Sequence, residues 1–128
     1  MESPSINEWY KEAKKDESST KCGMYLLHNG VVRELSRKRV RENDLNSPLV
    51  KGMSFDFDNE KVDEAIKKTY LMDGIYYIKV WLNKGNLQLG DDIMYVLIGG
   101  DIRPHVIEAL QSLVGEIKTK CVIEKELY

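Results

Sequence analysis

Two runs rich in aromatic and β-branched residues, Ile75 to Leu82 and Ile93 to Ile98, flank the polar, glycine-punctuated segment Asn83 to Asp92, and they constrain the fold more than any other feature of the chain. Runs of this chemistry form core strands. Around them the elements read in the order helix, strands, helix, strands, helix, terminal strand. That order lacks the regular strand–helix alternation of a doubly wound parallel sheet. The expectation is an α+β domain with a mostly antiparallel sheet and flanking helices.

The remaining elements follow from local chemistry. Ser5-Ile6-Asn7-Glu8 has the form of a capping box, and Ile6, Trp9, Tyr10 and Ala13 then share one face, which predicts a helix over roughly residues 5–16. The polar segment Asp16 to Lys21 reads as a linker. Met24 to Leu27 is an apolar strand, Asn29-Gly30 a turn signal and Val31-Val32 a resumed extended run, which together predict a hairpin. Leu49 to Phe57 reads as another strand, with Met53, Phe55 and Phe57 alternating against Ser54 and Asp56. Asp58 or Asn59 can cap a helix striped by Val62, Ala65, Ile66 and Tyr70, which Gly74 ends.

Composition bounds the function classes. A chain of 128 residues with 42% hydrophobic content supports one core and one domain. Its 19 basic and 21 acidic residues leave a net charge of -2, so any electrostatic function must come from local clusters. Arg33 to Arg41 is the densest basic segment and could funnel anions, but it lacks the interleaved aromatics of a nucleic-acid platform. Cys22 and Cys121 lie far apart without paired-ligand spacing, which disfavours zinc or a disulfide scaffold and suggests a reduced, cytoplasmic protein. Met1-Glu2-Ser3-Pro4 has no basic region followed by an apolar run, and no stretch approaches the roughly 18 apolar residues of a membrane span, so a soluble, unprocessed chain is expected.

The last thirty residues carry the chemistry. Gly99-Gly100-Asp101-Ile102-Arg103-Pro104 leads into a helix ending at Lys118, with Asp101 as N-cap and Pro104 in the first turn. Val106, Ile107, Leu110, Leu113, Val114 and Ile117 would bury one face. Free amides at the helix start, beside Arg103, favour an anion such as phosphate.

The run Gly100-Asp101-Ile102-Arg103, Ile117-Lys118, Lys125-Glu126, Gly30-Val31-Val32-Arg33 and Leu87-Gln88-Leu89-Gly90-Asp91, in that spacing, resemble the large, catalytic subunit of molybdopterin synthase. The resemblance covers residues 22–128 and leaves the N-terminal helix and linker outside it, as in a divergent, short member. It implies an α/β hammerhead-type fold and a homodimer at the core of a heterotetramer. It also implies sulfur transfer to a cyclic pyranopterin monophosphate from a thiocarboxylate on the C-terminal Gly-Gly of a small subunit, in molybdenum cofactor biosynthesis. No resident cofactor or metal is implied.

By the same resemblance, Lys118 is the principal catalytic lysine and Lys125 the second, while Arg33 and Arg103 bind the cyclic phosphate, which guanidinium groups suit by bidentate hydrogen bonding. An amine acts as a nucleophile only unprotonated, which requires burial or nearby cations such as Lys120 and Lys125. The family pattern places a histidine where this chain has Ile102, and His105 is the expected substitute. The aromatic His-Tyr segment before the middle helix is replaced by Phe55-Asp56-Phe57-Asp58-Asn59. His28 reads as a structural residue and Cys121 as a small core residue, since the sulfur comes from the partner. The alternative is a non-catalytic paralogue that binds a pterin or a ubiquitin-like small subunit.

Overall fold

The computed structural model describes residues 2–128; Met1, the first residue of the N-terminal stretch, lies outside them. Two antiparallel three-stranded sheets form the frame. One has the order β1 (Met24–Val31), β5 (Asp92–Gly100), β3 (Ile75–Leu82), and the other the order β4 (Gly85–Gln88), β2 (Gly52–Phe57), β6 (Val122–Leu127). This is the α+β, antiparallel architecture that the element order implies.

β5 sits at the centre because its apolar run has no polar face. Side chains alternate along a strand, so such a run must be covered on both sides. Met94, Val96 and Ile98 enter a core with Val106, Ala109, Leu113 and Ile117, which belong to α4 (Arg103–Glu116) and the turn after it. Tyr95 and Leu97 face the other way, onto Trp9 and Ala13 of α1 (Ile6–Lys15). There Trp9 meets Tyr95 edge-on at 5.7 Å between ring centroids, and Trp81 adds a second ring at 5.2 Å. Full burial of a side chain such as Leu113 contributes about 1.5–3 kcal/mol. α3 (Asn59–Tyr70) packs beside α4 on the first face.

The caps bear out most of the local reading. Ser5 accepts from Glu8 N at 3.2 Å, although the Glu8 carboxylate turns to Lys11 instead of closing the capping box. Asp58 starts α3 by accepting from Glu60 N and Lys61 N. The expected linker Asp16 to Lys21 is ordered, because Asp16 caps a 3-10 turn over Glu17–Lys21.

The hairpin expected at Asn29-Gly30 does not form. β1 runs unbroken through both residues, Met24 opposite Gly100 to Gly30 opposite Met94, with an irregularity only between Gly30 and Val31. The reason is the long partner ladder of β5, reinforced by the Asn29 side-chain amide, which donates to Asp92 Oδ1 at 3.0 Å. Asp92 also receives Ser3 Oγ and Tyr95 Oη, and these donors, Ser3 foremost, hold its carboxyl below the ordinary range. β4 was not foreseen. Its four residues include Gly85 at φ 127, and only Leu87 is buried, so the alternation is too short to read.

Among the described residues no helix is long and apolar enough to cross a membrane.

Candidate functional site

The two ends of α4 differ in how their charges are satisfied. At the start, the cap residue is Ile102 and not Asp101, because the Asp101 carboxylate turns onto the next amide, 2.6 Å from Ile102 N, and onto His105 Nδ1 at 2.7 Å. The bond to His105 is the main cause of an Asp101 carboxyl below the usual range. Asp101 N in turn donates to Gly74 O. Gly74 has φ 75, and a Cβ there would fall 2.1 Å from Asp101 Oδ1 and 2.5 Å from His105 Nδ1, so this corner requires glycine. The helix start expected to attract phosphate therefore already faces its own carboxylate. Pro104 occupies the first turn, as expected.

At the other end the α-helix stops at Glu116 and continues as a π turn, Ile117–Cys121, so Lys118 lies inside that turn and not in a last α-helical turn. Such widened turns often accompany functional sites. Ile117 and Cys121 are buried, and Cys121 O accepts from Asp58 N at 2.9 Å, which ties the turn to the start of α3. Burial also pushes the Cys121 thiol up, as befits a core residue. Lys118 is exposed. Lys120 pairs with Glu116 at 3.7 Å and does not line the cavity that Lys118 faces.

That cavity has a volume of about 820 Å³. Lys118 from the π turn, Arg33 just beyond β1 and Lys125 from β6 all line it, together with Arg37 and Arg41 of α2 (Arg37–Arg41). Two regions distant in sequence, residues 33–41 and 118–125, thus place five basic side chains around one space. α2 is held there by its buried cap Ser36, which accepts from Arg39 N at 3.1 Å, and the following loop returns through Val50 N to Glu34 O at 2.8 Å.

Two carboxylates oppose those cations. Along β6 exposure alternates, with Ile123, Lys125 and Leu127 outward and Glu124 and Glu126 half-buried. Glu124 pairs with the Arg37 guanidinium, and Glu126 accepts from Arg37 N at 3.0 Å. Arg33 makes no ion pair among the described residues. Met53, Val50, Ile93 and Met94 supply an apolar floor.

Arg103 and His105 do not reach this cavity within one chain. The 14 residues of α4 span about 21 Å and separate them from it. Conversely, the cavity contains His28, whose place on an apolar strand predicts only a structural role. His28 shares the strand face of Met24 and Leu26, the face packed by α4, and its Nε2 is buried with no hydrogen-bond partner among the described residues. Desolvation first, then the charge of Lys118, holds its pKa below the ordinary value. The signal available in the sequence was strand parity, since His28 and Gly30 share a side of β1.

The family model described as MoaE protein matches residues 2–120, which includes α1 and Lys118 and stops before Lys125. Solved structures are similar in fold. Molybdopterin synthase from Staphylococcus aureus aligns at 17% identity over 98% of this chain and 86% of that one, with a TM-score of 0.73. The molybdopterin biosynthesis MoaE protein from Burkholderia ambifaria aligns at 14% identity over 99% and 84%, also with a TM-score of 0.73. A protein–protein complex of subunits 1 and 2 of molybdopterin-converting factor from Helicobacter pylori contributes a chain at 16% identity over 98% and 84%, with a TM-score of 0.65. A comparison with curated protein sequences finds no match.

Proposed function

This chain belongs to the MoaE family, the catalytic subunit of molybdopterin synthase, and on that premise we propose that its cavity is where a cyclic pyranopterin monophosphate receives two sulfurs and becomes molybdopterin. The observation that carries this reading is the convergence on one space of Arg33 with Lys118 and Lys125, which lie more than eighty residues further along the chain on a π turn and the strand after it.

Arg33 has no carboxylate partner among the described residues and holds the phosphate in a forked, charge-assisted pair. Arg37 is turned toward Glu124 and Glu126, so it shapes the wall and adds a weaker pull on the anion. Lys118, at the mouth of the π turn, acts on the pterin precursor, and Lys125 binds the substrate beside it. The sulfur arrives as a thiocarboxylate on the C-terminal Gly-Gly of a small subunit, whose extended tail enters the cationic cavity as terminal carboxylates enter cationic clefts generally. The Helicobacter pylori complex, which contains both subunits of molybdopterin-converting factor, supports a two-subunit assembly. The working unit is a heterotetramer around a dimer of this chain, in the cytoplasm. Arg103 joins a phosphate site only when a second copy carries it across a two-fold axis. His105 is engaged by Asp101 and serves the helix start.

Reconstitution tests this directly. The purified chain, a thiocarboxylated small subunit and the pterin precursor should yield the dithiolene product, and Lys118→Ala should not. Partner binding without turnover by the wild type would instead identify a non-catalytic paralogue, the reading that Ile102 favours because its side chain can neither carry a proton nor bind phosphate.

A further inference from the structure

The cations explain how an anion is held but not how the cavity would distinguish one phosphate ester from another. A buried, unpartnered polar atom is costly and is normally satisfied by protein, water or ligand. Among the described residues His28 Nε2 is such an atom, and His28 lines the cavity close enough to Lys118 to feel its charge. We propose that His28 recognises the heterocycle of the substrate, its Nε2 accepting a hydrogen bond from a ring or amino N–H while the neighbouring cations hold the phosphate. The inference rests on the reading that the cavity takes a pterin.

Three features of the site support it. Gly30 lies two residues further along the same face of β1, and a Cβ there would sit 3.7 Å from Nε2 and 3.3 Å from Met94 Cγ. Its absence leaves room beside a nitrogen that is itself closed to solvent, so a ligand N–H reaches it once the Met94 side chain gives way. The charges around the cavity are mostly positive: Lys118 from the π turn, which acts on the ring directly, Arg33 past β1, the α2 arginines and Lys125 on β6, against Glu124 and Glu126, whereas β5 offers the apolar Ile93 and Met94. Burial, then Lys118, disfavours a protonated ring, so the imidazole is neutral near pH 7 and has one nitrogen lone pair free to accept. Glu124 and Glu126 are also acceptors, but Arg37 and Tyr128 already engage them. A pterin, with N–H donors on a flat ring and a phosphate at one end, matches an uncommitted acceptor beside a cationic cluster.

The test compares two probes, a pterin monophosphate and inorganic phosphate, titrated against the wild type, His28→Phe and His28→Gln. Phenylalanine suits the apolar strand face and removes the acceptor, and glutamine restores one. The expected result is a loss of about 10-fold or more in pterin affinity for His28→Phe. Inorganic phosphate should bind the same variant unchanged, and His28→Gln should recover part of the loss. In turnover, the change should fall on KM, and the acid limb of the KM profile assigned to His28 should vanish in His28→Phe. An NMR titration of the His28 ring needs no ligand: Lys118→Met should raise its pKa if the two side chains face each other as described. Should His28→Phe bind the pterin as tightly as the wild type, or lose both probes equally, the role of His28 is overturned while the cavity's function stands. A wild type that binds neither probe removes the functional reading and this inference together.

Discussion

The two ends of α4 present opposite solutions to the same electrostatic problem. At the start, the Ile102 amide and the His105 ring are answered from within the chain by Asp101, packed against Gly74, where a Cβ would clash with both. At the end, the helix widens into a π turn, the packing stops at Ile117 and Cys121, and Lys118 projects with Arg33 and Lys125 into open space. Helix starts attract anions in general, yet here the cations gather around a cavity at the end of the helix. The lesson is that the sign of a terminus matters less than whether neighbouring segments have already satisfied it.

The contrast can be broken most severely at Lys118. Lys118→Ala should lower kcat by about 10²–10⁴-fold, the range for losing a positioned acid–base group, with Tm unchanged because the side chain is exposed. A parallel fall in Tm would show that the turn itself depends on the lysine. Arg33→Ala should raise KM by about 10–100-fold, as expected for one charge-assisted phosphate contact, measured in the same reconstituted assay. Gly74→Ala acts at the closed end, where positive φ and the clash with Asp101 should cost about 1–3 kcal/mol in denaturant unfolding, without a matching change in KM.

Stability against pH sharpens the comparison further. The folded pKa of His28 lies below its ordinary 6.5, so the unfolded chain binds the proton more readily. Its contribution is therefore fully present above 6.5 and is lost as pH falls from there toward the folded value. Denaturation midpoints at about pH 7.5 and about pH 5.5 should differ less in His28→Phe than in the wild type. The smallest effect belongs to His105→Ala, which should lower Tm slightly and leave substrate affinity alone. A rise in KM there would return His105 to the site.

Much of this was legible in the chain, for definable reasons. Strand and helix types at β2, α3, β3, β5 and α4 follow from alternation, caps and Pro104, all of which are local signals. Asn29-Gly30 misled because a strong turn pair yields when a long partner strand and Asp92 satisfy it as extended backbone. Arg33, Lys118 and Lys125 stood out through resemblance, but their company did not. Whether Arg37 meets Glu124, or His28 meets Lys118, depends on where β6 and the π turn land, and no local pattern encodes that. Arg103 and His105 lay close to Lys118 in the reading of one helix, yet its length carries them away.

β5 is the strand that both halves share, sealed by aromatic rings on one side and by α4 on the other. Its amide protons should be the slowest in the molecule to exchange with deuterium, opening only when the whole fold unfolds. A lesion in the Trp9 cluster would then loosen the cavity wall as well, although no side chain of that cluster lines the cavity. Protein carrying such a lesion should lose activity in step with cooperative melting, and a bound anion should slow exchange on the far side of the sheet.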